Sequence, residues 1–201
     1  MKAQQKFLIA LLAIFSLATT TFAQVEGQEE MIKRRAAEKV GQMNDYISFM
    51  ANKKKPEESR LYYKTKALNL FIGKGFSYEE NGVTKDGVMM QVTSKNRKSV
   101  STPFIRTYFQ NLVTGLRSYT DVKIEATEIA DIKVSELRQI DTNLWVCTCQ
   151  YDQAFEGVRD GRLIYRDITT KRIKCYVVAE DTEDGWEFII LLGDVYAIET
   201  R

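Results

Sequence analysis

Three long strand-like segments close this chain and dictate most of what it can become. Residues 143–155, 162–180 and 186–200 are rich in β-branched and aromatic side chains, and Arg159-Asp160-Gly161 and Asp184-Gly185 separate them. Asp-Gly accepts the positive φ of a tight hairpin turn, so each segment is expected to fold back antiparallel on the one before it. Shorter alternating segments precede them: 121–126 around Val122 and Ile124, and 132–137 around Ile132 and Val134. Within 143–155, Trp145, Cys147, Cys149 and Tyr151 fall two apart and therefore share one face. The second half of the chain reads as a β-meander.

The first half reads as helical. Ile32, Ala36, Val40, Met43, Ile47 and Met50 recur every three or four residues, and Tyr46 and Phe49 widen that stripe, which marks an amphipathic helix. Lys53-Lys54-Lys55 suits its negative end, and Pro56 stops it. A second helix is expected from Pro56 to Phe71, with Pro56 as its first helical residue. Leu61, Leu68 and Phe71 form its apolar side, and Gly73 and Gly75 end it. In a short strand that follows, Phe76, Tyr78 and Glu80 share one face, with Ser77 and Glu79 on the other. Asn81-Gly82 and Asp86-Gly87 are turn signals, and 88–93 suits a further short strand. A third helix is expected to be capped by Thr102, with Pro103 in its first turn. It would bury Ile105, Tyr108, Phe109, Leu112, Val113 and Leu116, and end at Gly115. Helices followed by antiparallel strands, with no repeat and no linker, define one α+β domain over 24–201.

Composition removes several chemistries. The chain has no histidine, which excludes Ser-His-Asp and Cys-His catalysis and histidine-ligated metals. Lys+Arg 29 against Asp+Glu 27 gives +2, and both excess positives are Lys2 and Lys6 near the N-terminus. The remainder is balanced and offers no bulk attraction to nucleic acid. Lys33-Arg34-Arg35 lies among Glu29, Glu30 and Glu38 at spacings that suit solvated ion pairs. No phosphate-binding loop or dinucleotide fingerprint is written in the sequence, so no cofactor is expected. Residues 1–23 have a basic start, an apolar run from Phe7 to Ala18 and a small-x-small ending at Ala23. That is the pattern of a cleaved signal peptide, and the run is too short to span a bilayer. The mature chain is expected in a periplasm or outside the cell. Cys147, Cys149 and Cys175 lie in apolar strand contexts, where they are small buried hydrophobes or, alternatively, where Cys175 is bridged to one of the other two. No metal site is expected of them.

Residues 175–179 and 188–192 are apolar on both faces, whereas a sheet with one solvated face should alternate. Either the domain's own helices and loops cover the second face or a second copy does. A homodimer paired through the sheet is the reading preferred here.

The order of elements resembles the nuclear-transport-factor-2-like superfamily, the cone-shaped α+β fold also described as cystatin-like, and its exported bacterial branch. Lys66-Ala67-Leu68-Asn69-Leu70-Phe71 followed by Phe76-Ser77-Tyr78 is similar to that family's helix-into-strand step. Phe104-Ile105-Arg106-Thr107-Tyr108-Phe109 with Leu112 is similar to its third helix. The resemblance implies N-terminal helices on a strongly curved antiparallel sheet that encloses an apolar pocket. Lining candidates are the large amphipathic aromatics Tyr46, Phe49, Tyr62, Tyr63, Phe71, Phe76, Tyr108, Trp145, Tyr151 and Trp186. Acid/base candidates are Glu79 and Glu80, one of which must face the pocket side with a pKa raised by burial, and Asp45 on the first helix. Three functions fit. The preferred one is a non-catalytic exported domain holding a small apolar or aromatic molecule, or an envelope protein. The second is an isomerase- or lyase-like enzyme using Tyr plus a carboxylate. The third is a dimerisation module of an envelope complex.

Overall fold

A computed structural model describes residues 28–80, 82–183 and 185–201. The leader pattern over 1–23 and the turn residues Asn81 and Asp184 lie outside the described residues. The amphipathic stripe becomes helix α1, 28–51, with Ile32, Ala36, Val40, Met43, Ile47 and Met50 all fully buried. Two residues of its basic N-terminal run are paired: Lys33 Nζ lies 3.1 Å from Glu29 and 2.9 Å from Glu136, and Arg34 meets Glu38 at 3.8 Å.

Helix α2, Glu57–Leu68, starts one residue later than expected, with Pro56 extended just before it, and stops before Phe71. Leu61 is exposed, and the buried residues of α2 are Arg60 and Ala67. Arg60 donates to Val113 O at 2.7 Å. The helix ends early because sheet backbone competes for the chain. Leu192 N donates to Leu70 O at 2.8 Å, and Phe71 bridges Leu192 with its ring packed on Phe109. A 3₁₀ turn, Ile72–Gly75, then reverses the chain with Gly73 and Lys74 in the left-handed region.

Strands β1, Tyr78–Glu80, and β2, Val83–Lys85, form a hairpin. Strands β3, Val92–Ser94, and β4, Arg97–Ser101, form another. Helix α3, Ile105–Thr114, buries Ile105, Phe109, Leu112 and Val113 and stops at Gly115. Thr102 does not cap it: Phe104 occupies the cap position, and Ile105 N donates to Val88 O at 2.8 Å. The backbone of the segment before β3 satisfies an amide that a side chain would otherwise serve.

The main sheet is antiparallel, in the order β10-β9-β8-β5. Its strands are β5, Asp121–Ala126; β8, Leu144–Arg159; β9, Arg162–Thr182; and β10, Gly185–Thr200. Two short strands, β6, Lys133–Val134, and β7, Arg138–Asp141, continue along β8. Positive φ at Asp160 and Gly161 makes the β8–β9 turn. Register shifts after Gly157, Leu192 and Ala197 bend the long strands. The three helices pack against this sheet, an α+β fold as expected. Part of the second apolar face is covered from within the chain: Tyr176 is 2% exposed, with Tyr78 of the β1–β2 hairpin edge-on to its ring.

One close approach shapes the inner face beside α3. A Cβ on Gly157 would stand 2.3 Å from the Tyr119 ring, which lies edge-on to Phe155. Lys53 holds the Tyr119 loop by donating to Leu116 O and Tyr119 O. Gly157→Ala is therefore expected to cost about 1–3 kcal/mol, with most of the loss recovered when Tyr119→Ala is added. Urea denaturation of the two variants measures this, and a neutral Gly157→Ala would contradict the packing.

Candidate functional site

The inward row of β9 begins apolar and turns polar. Val177, Cys175 and Ile173 are fully buried. Two-residue steps then give Lys171 at 4% exposed, Thr169 and Asp167 at 6%, and half-buried Tyr165. The inward row of β8 does the same, passing from Trp145, Cys147 and Cys149 to Tyr151 and then Gln153. The register sets Tyr151 opposite Lys171, Gln153 opposite Thr169 and Phe155 opposite Asp167. Over the polar half lies a cavity of about 370 Å³, within the size range of small-molecule sites. Helix α3 supplies Tyr108 and Leu112, the turn after it supplies Leu116, β5 supplies Ile124, and β3 closes one side with Val92 and Ser94.

Lys171, Asp167 and Tyr165 line this cavity from one strand. Lys171 Nζ has no carboxylate within 4.0 Å among the described residues. Its contacts are Met90 Sδ at 3.6 Å and the face of Tyr108, whose ring centre is 5.7 Å away. Burial lowers the Lys171 pKa to about 8, against the opposing pull of Asp167. Asp167 accepts a hydrogen bond from the Tyr165 hydroxyl, which also lies 2.7 Å from Ser94 Oγ. Burial holds both Tyr108 and Tyr151 well above the usual phenol range, so both stay protonated. The Tyr151 hydroxyl is buried without a hydrogen-bond partner among the described residues. Asn44 lies nearby, but its Oδ1 accepts from Gln153 Nε2 at 2.8 Å and its Nδ2 donates to Val40 O.

Of the aromatics singled out from sequence, Tyr108 lines this cavity, and Tyr151 is buried opposite the lining residue Lys171. Tyr46, Phe49 and Tyr63 stack together between α1 and α2, with Phe49 and Tyr63 centroids 4.0 Å apart. Tyr62 and Phe76 are exposed; Lys66 covers the first and Arg106 the second. Phe71 and Trp145 fill the core, and Trp186 is half-buried near the start of β10. Asp45 and Glu79 are exposed. Glu80 is half-buried but meets Lys174 and the Tyr176 hydroxyl on the other side of the sheet. Burial alone would raise its pKa as expected. The Lys174 ammonium and the Tyr176 hydroxyl outweigh that and hold it below the ordinary value, which corrects the expectation of a raised pKa there. The three cysteines are free and buried, with Cys149 and Cys175 sulfurs 3.6 Å apart. Among the described residues no three His, Cys, Asp or Glu side chains are placed to hold a metal. No described helix is long and apolar enough to cross a membrane.

The sequence reading passed over Lys171, Asp167, Gln153 and Asn44. Their signal is phase: counting back by twos from Cys175 reaches Lys171 and Asp167, and counting forward from Tyr151 reaches Gln153. A polar residue in phase with a buried row is the informative exception.

No family model matches the chain, and no curated protein matches it in sequence. Among solved structures it is similar to a scytalone dehydratase candidate from Novosphingobium aromaticivorans DSM 12444. The two are 11% identical with a TM-score of 0.39, over 86% of this chain and 88% of the other. It is also similar to the Kfla4162 protein of Kribbella flavida, 15% identical with a TM-score of 0.40, over 86% and 95%. A dehydratase candidate of the nuclear-transport-factor-2-like family from Streptomyces avermitilis is 14% identical with a TM-score of 0.33, over 83% and 98%. These likenesses assign this chain no activity.

Lys171 yields a stability prediction. Its folded pKa of about 8 lies below the ordinary 10.5, so the unfolded chain binds the extra proton between those pH values. The cost of burying the charge is complete below pH 8 and fades as pH rises toward 10.5. Lys171→Met is expected to be more stable than wild type at pH 7 by about 3 kcal/mol, with the gap closing between pH 8 and 10.5. Thermal melts across pH measure it, and a gap independent of pH would contradict the assignment.

Proposed function

We propose that the cavity is the active site of an enzyme that moves a proton on a small, largely apolar carbonyl compound. The observation that carries this reading is that a buried carboxylate, Asp167, and a buried amine, Lys171, lie on one strand face and line one cavity. A cavity lined only by aromatics would have favoured simple binding. In this reading the apolar part of the substrate rests on Leu112, Leu116, Ile124 and Phe155. Its carbonyl points at Lys171, and the adjacent C–H bond faces Asp167. Asp167 removes the proton, and the negative charge that develops on oxygen falls beside the Lys171 cation. The Tyr165 hydroxyl orients Asp167. Return of the proton to another carbon gives isomerisation, and loss of a leaving group gives elimination.

Export from the cell, on the pattern of residues 1–23, belongs to this proposal. So does pairing of two copies over the half-buried outer residues Val178, Ile189 and Leu191. The apolar lining also suits a domain that binds such a molecule without reacting. Deuterium uptake at the α-carbon of benzylacetone, followed by NMR in D₂O, separates the two. The enzyme reading expects exchange well above buffer in the wild type, slowed about 10²–10⁴-fold in Asp167→Asn. Binding of benzylacetone with no exchange above buffer would leave the non-catalytic reading.

A further inference from the structure

We propose that Lys171 is a nucleophile that captures the carbonyl carbon of its ligand as an imine, which makes aldehydes and unhindered ketones the substrate class. This rests on the cavity reading above and adds a covalent step to it.

The contrast between two lysines of one strand carries the argument. Lys174, on the outer face of β9, has the Glu80 carboxylate against its ammonium. Lys171, on the inner face and almost wholly buried, has no carboxylate within reach among the described residues. Buried ammonium groups are ordinarily paired, because an uncompensated charge is strongly destabilising. A lysine kept for its charge alone would be expected to have the partner that Lys174 has. Instead, Lys171 has phenols around it. Tyr151 is its cross-strand partner, Tyr108 presents its ring from α3, and the Tyr151 hydroxyl has no hydrogen-bond partner among the described residues. The nearest polar contact of Nζ is the Met90 thioether, a weak acceptor. Burial without pairing also leaves a usable fraction of neutral amine near pH 8.

The chemistry balances with the groups present. The neutral Nζ lone pair adds to the carbonyl carbon as the C=O π bond breaks, the carbonyl oxygen takes a proton from a Tyr151 or Tyr108 hydroxyl, and the positively charged Nζ returns a proton to that phenolate to leave a neutral carbinolamine. The carbinolamine then loses water and forms the C=N bond. The net change is amine plus carbonyl to imine plus water, with nothing oxidised or reduced. Once protonated, the imine draws electrons from the adjacent C–H bond more strongly than the carbonyl did, and Asp167 takes that proton to leave an enamine.

Reductive trapping with benzylacetone and cyanoborohydride tests the step on the full chain. One adduct is expected, heavier by one ketone minus its oxygen as water plus two hydrogens, and it maps to the peptide containing Lys171. Its yield rises through about pH 8, where the groups facing Lys171 are Asp167, Tyr108 and Tyr151. The adduct disappears in Lys171→Met and in Lys171→Arg, which keeps the charge, and forms about 100-fold more slowly in Tyr151→Phe. Labelling of Lys171 no faster than exposed Lys55 or Lys66 would overturn the proposal. If α-carbon exchange then persisted in Lys171→Arg, the proton-transfer reading would stand without the covalent step. An adduct at Lys171 in a chain that shows no exchange would support capture and remove the proton-transfer reading.

Discussion

The pairing of β8 with β9, from Leu144 opposite Val178 to Arg159 opposite Arg162, is the interaction on which the rest of the structure depends. It decides which residues of both strands face the helices. A slip of one residue would turn Lys171 and Asp167 outward and bring Arg172 and Ile168 in. The apolar end of the two rows resists that slip. Trp145, Cys149, Ile173, Cys175 and Val177 are buried against α1 and the rest of the core, and exposing them would forfeit several kcal/mol. The core thus fixes the phase, and the phase carries polar groups into the cavity at the other end.

That arrangement works against stability at one place. A buried ammonium with no carboxylate in contact among the described residues is a local defect, and Asp167 on the same row relieves it only in part. Proteins tolerate such defects where chemistry needs them and the surrounding packing is strong enough to hold them. The surroundings here are braced. Lys53 ties down the loop bearing Tyr119, Asn44 and Gln153 join α1 to β8, and Thr169 bonds Thr200 across to β10 at 3.0 Å. These contacts join the helices and the outer strand to the cavity floor.

Much of this fold was legible in the residues, and the gaps have physical causes. The α1 stripe and the three long strands read correctly because each keeps one period over many residues, and Asp160-Gly161 places the turn between two of them. Elements decided by tertiary contact read less well. Thr102 looks like a cap, but Val88 O takes the first amide. Phe71 looks helical, but Leu192 draws it into a bridge. Strand β4 was not anticipated, because Lys95-Asn96-Arg97-Lys98 has no apolar alternation to mark it. The site was hardest to read. Choosing aromatics by type found Tyr108 and Tyr151 among eight others that fill the core or face solvent. Lys171 carried no signal by residue type, because its burial follows only from the phase of β9.

The central claim is that Lys171 is buried, unpaired and open to the cavity rather than solvated. An NMR titration of its Nζ, assigned by comparison with Lys171→Arg, tests that most directly. A midpoint near pH 8 is the expected result. A midpoint at the ordinary lysine value of about 10.4 would mean that the side chain reaches water, and the cavity chemistry built on it would fall.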